Sequence, residues 1–192
     1  MWRKSLIDYI RPRLAGKVEG DFLEVGCCRG ELTLALSALA ATLNRKVYSF
    51  DVCNVNFDSS VNNKGLSMPA YYAGLGLNSE NQEKIIRDTV SSCSNVVFTR
   101  KDSAKIVFKP TQTFCFVVID GCHTVKYVRG DFKLAWKHLS PGGYMAMHDY
   151  KGDMPHVTET IDKLLKEHKS EVNQAEAIAG WWMVIQKKVE VE

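Results

Sequence analysis

The sequence contains no apolar run near the roughly 18 residues that span a bilayer; its longest, Phe114–Ile119, suits a strand instead. Residues 1–14 interleave Arg, Lys and Asp with apolar positions and carry no signal-peptide stretch, so a cytoplasmic location is expected. Charge of one sign is scarce. The formal net charge is +3, with Lys and Arg scattered among Asp and Glu, which argues against a nucleic-acid or membrane surface as partner. Repeats, low-complexity tracts and a linker long enough to divide the chain are also missing. With 45% hydrophobic and 24% charged residues, the 192-residue chain has the composition of one ordinary globular domain.

Six cysteines are present, but none stands in a CxxC pair or at zinc-finger spacing to a histidine. Several lie in or beside apolar runs, so reduced thiols are expected, and the adjacent Cys27 and Cys28 are read as small residues of a tight turn.

What is there is an alternation of periods. A short amphipathic helix over 2–14 precedes an apolar run at 21–25 that ends at Gly26, and a helix follows that Leu32, Leu34, Ala35, Leu36, Leu39 and Leu43 make apolar around much of its circumference, as expected if it packs on a sheet. Further strands are predicted at 46–50, 95–99, 113–119 and 144–147. Helices are predicted at 80–92, 125–139 and 155–168, and closing strands include 181–186. Pro141, Gly142 and Gly143 are expected to end the 125–139 helix. Strands alternating with helices point to a parallel α/β sheet, its centre at the continuous apolar strand 113–119. Residues 52–79 lack periodicity. They form an irregular excursion, either a lid over a site or a loop packed through Met68, Tyr71 and Tyr72.

Ligands of open α/β sheets bind beyond the carboxyl ends of the strands. There the chain places Glu24 with Gly26, then Asp51, Asp102, Asp120 and Asp149. Gly26 and Gly30 frame a turn leading into a helix N-terminus, a place for a carboxylate or phosphate. Cys28 stands where a dinucleotide fingerprint has its middle glycine, so a nucleoside with a small amino-acid tail fits better than a pyrophosphate. Asp51, about twenty residues beyond the turn, is placed to accept from ribose hydroxyls.

The segments FLEVGCCRGELTLAL, VYSFD, VVFTRKDS, FVVIDGCH and LSPGGYMAMHD, over about 20–150, resemble class I methyltransferases that use S-adenosylmethionine. That resemblance implies a Rossmann-like, doubly wound, mostly parallel seven-stranded sheet with helices on both faces. A cofactor half would span about 20–105 and a metal and acceptor half about 113–192. The expected cofactor contacts are Glu24, Gly26, Cys27, Gly30, Asp51, Asp102 and Asp120, with Ser103 a secondary candidate.

The string Asp120-Gly121-Cys122-His123, followed by His148-Asp149, further resembles metal-dependent O-methyltransferases of the sugar and macrolide-sugar type and their cephalosporin-hydroxylase-like relatives. By that resemblance Asp120 and Asp149 bind magnesium and His123 is the general base. His148 falls where relatives often carry another acidic ligand. The chemistry is coherent: magnesium prefers carboxylate oxygens and leaves positions for substrate hydroxyls, and a histidine titrating near neutrality would take the released proton. Two His beside two Asp would also admit manganese or iron.

The expected reaction is magnesium-dependent methyl transfer to a hydroxyl of a small molecule, a sugar or other vicinal diol. A macromolecular acceptor is the alternative, opposed by the absence of a basic patch; a binding module that keeps S-adenosylmethionine without catalysis is the third reading. The resemblance leaves room for a homodimer. Trp181 and Trp182 are expected to pack the last strand.

Overall fold

The computed structural model describes residues 2–14 and 18–189. One seven-stranded sheet runs in the order β3-β2-β1-β4-β5-β7-β6. Its strands are β1 (Asp21–Val25), β2 (Val47–Asp51), β3 (Val96–Arg100), β4 (Phe114–Ile119), β5 (Leu139–Met147), β6 (Val172–Ile178) and β7 (Trp182–Lys187). β1 to β5 are parallel, while β7 runs antiparallel to both β5 and β6. The helices are α1 (Trp2–Leu14), α2 (Glu31–Thr42), α3 (Met68–Gly74), α4 (Gln82–Thr89), α5 (Val125–His138) and α6 (Pro155–Glu167). The doubly wound architecture expected from the sequence is therefore present. No helix among the described residues is long and apolar enough to cross a membrane.

All six residues of β4 are buried, because successive side chains point to opposite faces and both faces are covered. Phe116 and Val118 join α1 and α2 through Leu6, Ile10, Leu36 and Leu39. Val117 and Ile119 join α5 and α6 through Val128, Phe132, Ile161 and Leu164. Each such side chain taken from water contributes about 1.5–3 kcal/mol, enough for the two helical layers to hold β4 at the centre.

Two local expectations are corrected. Ser140, Pro141, Gly142 and Gly143 do not separate helix from strand but lie within β5, whose register against β4 shifts between the Phe114–Leu139 and Phe116–Tyr144 pairs. The proline and glycines are accommodated there as a bulge, with Gly142 at φ 77°. The aperiodic excursion 52–79 contains α3, capped at Ser67 by the side chain accepting from the Ala70 amide. Seven residues are too few for a helical period to show.

The chain order reverses beside β1, which pairs with β2 on one side and β4 on the other. Ligands collect at such a switch point. The amide of Gly26 donates to Phe50 O and that of Asp120 to Val25 O, so the loops leave these strands in register. Gly26 has φ 90°, and a Cβ there would lie 2.1 Å from the Asp120 carbonyl oxygen. Gly26→Ala is therefore expected to destabilise the fold by at least ~2 kcal/mol in urea denaturation, since it adds both left-handed strain and a backbone collision. Cys28 already holds φ 52°, so Cys28→Gly is expected to cost less than ~1 kcal/mol in the same assay.

Candidate functional site

The loop from Gly26 to Gly30 is held from beneath. Asp51 Oδ2 accepts from the amides of Cys27 (2.8 Å) and Cys28 (3.1 Å), and its Oδ1 accepts from the Cys53 amide (2.8 Å). Burial nonetheless pushes the Asp51 carboxyl above its ordinary value, with the amides pulling the other way. Gln82 Nε2 donates to Cys28 O, which ties the loop to α4. All six cysteines are free thiols, and burial pushes Cys28 up to about 12, so it stays protonated.

Three of the expected cofactor contacts make structural contacts within the fold and line neither of the two cavities beside the glycine turn. Glu24 is 0% exposed, and its Oε2 accepts from Thr33 Oγ1 (2.6 Å) and Ser49 Oγ (2.7 Å). It braces β1 against α2 and β2 from inside the core, because its position in β1 turns its side chain into the protein. Gly30 is the left-handed N-cap of α2, close-packed on Thr89 and Ile86 of α4. Asp102 caps the 3-10 turn Ser103–Lys105, its Oδ1 accepting from the Ala104 amide (2.9 Å) and from Tyr127 Oη (3.2 Å). Its neighbour Ser103, ranked behind it from the sequence, lines a cavity of about 50 Å³ with Gly26, Asp51, Tyr72 and Asp120.

A second cavity of about 260 Å³ adjoins the first, sharing Gly26, Tyr72 and Asp120. Cys27, His123, His148 and Asp149 line it, with Tyr71 and Tyr72 of the excursion. Ligand atoms of Asp120, His123 and Asp149 lie within 4.8 Å of one another there. His148 joins by hydrogen bonding, its Nδ1 3.0 Å from Asp120 Oδ1 and 3.2 Å from Asp149 Oδ2, with its ring on Trp182 at 4.4 Å between centroids. Asp149 itself has φ 60°, an uncommon conformation for a non-glycine residue and one that clusters at functional sites.

His123 is more constrained than a free base. Its Nε2 lies 2.7 Å from Asp149 Oδ2 and its Nδ1 2.6 Å from Asp58 Oδ2, which also accepts from the His123 amide. Burial works to lower the pKa of both His123 and His148. The carboxylates outweigh it and hold both near about 10, not near neutrality as the sequence suggests. In this arrangement two imidazolium charges balance the carboxylates. Two Asp and one His within coordination reach suit a hard or borderline divalent cation, which would take over that charge balance.

Asp58 is the site residue that sequence reasoning missed. It lies in the aperiodic excursion, far from His123 along the chain, and no spacing rule connects the two. Asp58 fastens the excursion to His123. A few residues on, the Asn63 amide donates to Asp153 O and Lys64 Nζ pairs with Asp153 at 2.8 Å.

A family model described as a methyltransferase domain matches residues 23–150. The chain belongs to the methyltransferase-domain family. Several solved structures resemble this methyltransferase across nearly its whole length. The O-methyltransferase NovP superposes with a TM-score of 0.73 at 17% identity, over 96% of this chain and 80% of that one. The calicheamicin methyltransferase CalS11 gives 0.66 at 13%, over 94% and 77%. SMU.1697c, a putative methyltransferase from Streptococcus mutans in complex with SAH, gives 0.58 at 16%, over 94% and 97%. Comparison with curated protein sequences finds no match. Family and fold together make this chain an S-adenosylmethionine-dependent methyltransferase of class I.

Two predictions follow from the bracing groups. Burial, partly offset by the Thr33 and Ser49 hydroxyls, raises the Glu24 carboxyl from 4.5 to about 7, so ionisation is harder folded than unfolded. Stability contributed by this group is present below pH 4.5, falls as pH rises to 7 and stays lost above it. Glu24→Gln should therefore remove roughly 2–3 kcal/mol of the decline between pH 5 and pH 8, measured by urea denaturation of both proteins. Asp58→Ala should release the excursion, with amide exchange across residues 55–72 rising about tenfold or more relative to β4.

Proposed function

We propose that this methyltransferase acts on a hydroxyl of a small molecule, a sugar or other vicinal diol, with the help of a divalent cation, magnesium first. The observation that carries this reading is the convergence of Asp120, His123 and Asp149 where the two cavities meet. The smaller cavity borders the glycine turn, Asp51 and Ser103, where a class I cofactor belongs. The larger one is concave, partly apolar and close to the size of a small-molecule site.

S-adenosylmethionine, when bound, supplies a methyl group on a sulfonium, and a divalent cation supplies Lewis acidity that makes a nearby hydroxyl more acidic. Asp120 and Asp149 would hold the cation, with His123 beside it. Gly26 lets the glycine turn close onto the Asp120 loop at the edge of the cofactor cavity, and Asp51 keeps the turn in shape while bordering the nucleoside. Ser103 and Tyr72 flank the same cavity. Asp120 borders both cavities and so orients acceptor against donor; such positioning, with charge stabilisation, supplies most of the rate in a displacement of this type. With Asp149 committed to a cation, His123 Nε2 would be left to receive the acceptor's proton, and Asp58 on Nδ1 would stabilise the imidazolium. Tyr71, Tyr72 and Met68 of the excursion line the cavity and would limit water at a bound acceptor.

Calorimetric titration tests this directly. S-adenosylmethionine and S-adenosylhomocysteine are expected to bind the wild type and Asp120→Ala, with magnesium present or chelated. A magnesium heat is expected in the wild type and not in the variant. A wild-type protein that binds neither nucleoside would overturn the reading; nucleoside binding without a magnesium heat would remove the cation from it.

A further inference from the structure

The larger cavity has a wall that the chemistry described so far does not use. Trp181 and Trp182 are adjacent in sequence and have opposite fates: Trp182 is 0% exposed and packs in the sheet core, whereas Trp181 is 49% exposed and lines the cavity with Asp120, His123 and Asp149. The expectation that both pack the final strand therefore holds for Trp182 only. Trp181 stands at the turn between β6 and β7 with φ 63°, a conformation that costs a bulky residue roughly 1–3 kcal/mol and persists only where surroundings impose it. Its carbonyl accepts from the Tyr150 amide at 2.9 Å, one residue beyond Asp149. Its indole also sits against Gly152, where a Cβ would come within 3.3 Å of Cδ2. The indole is thus fixed to the turn that carries the Asp149 carboxylate, and half of it is left to solvent.

A half-exposed indole in a strained backbone contributes less to stability than a buried one, so packing does not account for its placement. The pattern extends to a second residue. Two of the exposed large hydrophobic side chains are aromatic, Trp181 and Tyr71, and both line this cavity although they come from segments distant in the chain. Leu66, also exposed, lies beside them in the lining.

We infer that Trp181, assisted by Tyr71, is the acceptor platform of this enzyme: it selects a six-membered ring bearing vicinal hydroxyls, whose flat face rests on the indole while a hydroxyl reaches Asp120, His123 and Asp149. The inference rests on the proposed small-molecule acceptor and narrows it from any diol to a cyclic one. An aromatic diol and a pyranose share the needed chemistry, since both present a flat face with polarised C–H or π character to an indole and hydroxyls at the rim. An acyclic diol offers the hydroxyls without the face.

The test is a saturation-transfer NMR titration on the full chain with S-adenosylhomocysteine and magnesium, using catechol, methyl α-glucopyranoside and glycerol as probes. Wild type, Trp181→Ala, Trp181→Phe and Tyr71→Ala are compared, and S-adenosylhomocysteine affinity is measured for each by calorimetry. At least one ring probe is expected to bind the wild type. Trp181→Ala should weaken it about tenfold, with Trp181→Phe restoring most of the loss and Tyr71→Ala causing a smaller one. Binding of catechol alone assigns an aromatic acceptor, and binding of the glucoside alone a sugar. Glycerol binding as tight as the ring probes, ring binding indifferent to Trp181→Ala, or no ring binding to a wild type that holds S-adenosylhomocysteine each overturns the platform. Loss of S-adenosylhomocysteine affinity in Trp181→Ala overturns it too, by making the indole's role structural. Failure of the wild type to bind S-adenosylhomocysteine sinks the methyltransferase reading instead.

Discussion

The close approach of the β1 and β4 ends governs the rest of this structure. Where Gly26 leaves β1, its Cα rests against the Asp120 peptide with no space for a side chain, and the Asp120 amide still bonds to Val25 O. That contact puts the glycine loop and a carboxylate-bearing loop side by side at the switch point of the sheet. The two cavities meet there because both strands end there. The buried apolar faces of β4 hold the arrangement in place, and the bracing carboxylates Glu24 and Asp51 keep the glycine loop in shape from within and beneath.

Electrostatics adds a second constraint. Asp58, Asp120 and Asp149 converge on His123 and His148, and each imidazole is held protonated by carboxylates at hydrogen-bond distance. Uncompensated carboxylates gathered in a partly buried cleft repel one another strongly, so they require a compensating cation, which here is imidazolium. A divalent ion satisfies the same requirement. Under the proposed function the cation would take the place of that imidazolium charge.

The excursion between β2 and α4 contributes more than cover. Asp58 bonds the side of His123 opposite Asp149, and Asp153 fastens residues 63 and 64, so the segment that roofs the cavity also orients the imidazole inside it. Left-handed backbone at Cys28, Cys53, Asp149 and Trp181 lies at or beside the site.

Periodicity and strand-end chemistry made most of the fold legible: the alternation of apolar strands with helices, the glycine turn after β1, and acids closing successive strands are local patterns with local causes. Asp120, His123 and Asp149 were singled out this way, and the structure brings them together because parallel strands deliver their carboxyl ends to one edge. Direction within that edge was not legible. Glu24, Gly30 and Asp102 follow the same pattern and serve as a brace, a packing point and a cap, since whether a polar group faces a cavity or the core depends on packing that no single strand encodes. Asp58 and Trp181 lie in segments without a period, and their meaning comes from residues far along the chain. Sequence alone determined which strands and turns could build a site at the sheet edge, because those preferences are set by neighbours in the chain. Only the tertiary structure decided which carboxylate meets which imidazole and which indole is left bare, because those outcomes depend on side chains brought within a few ångströms by the closing of the whole sheet.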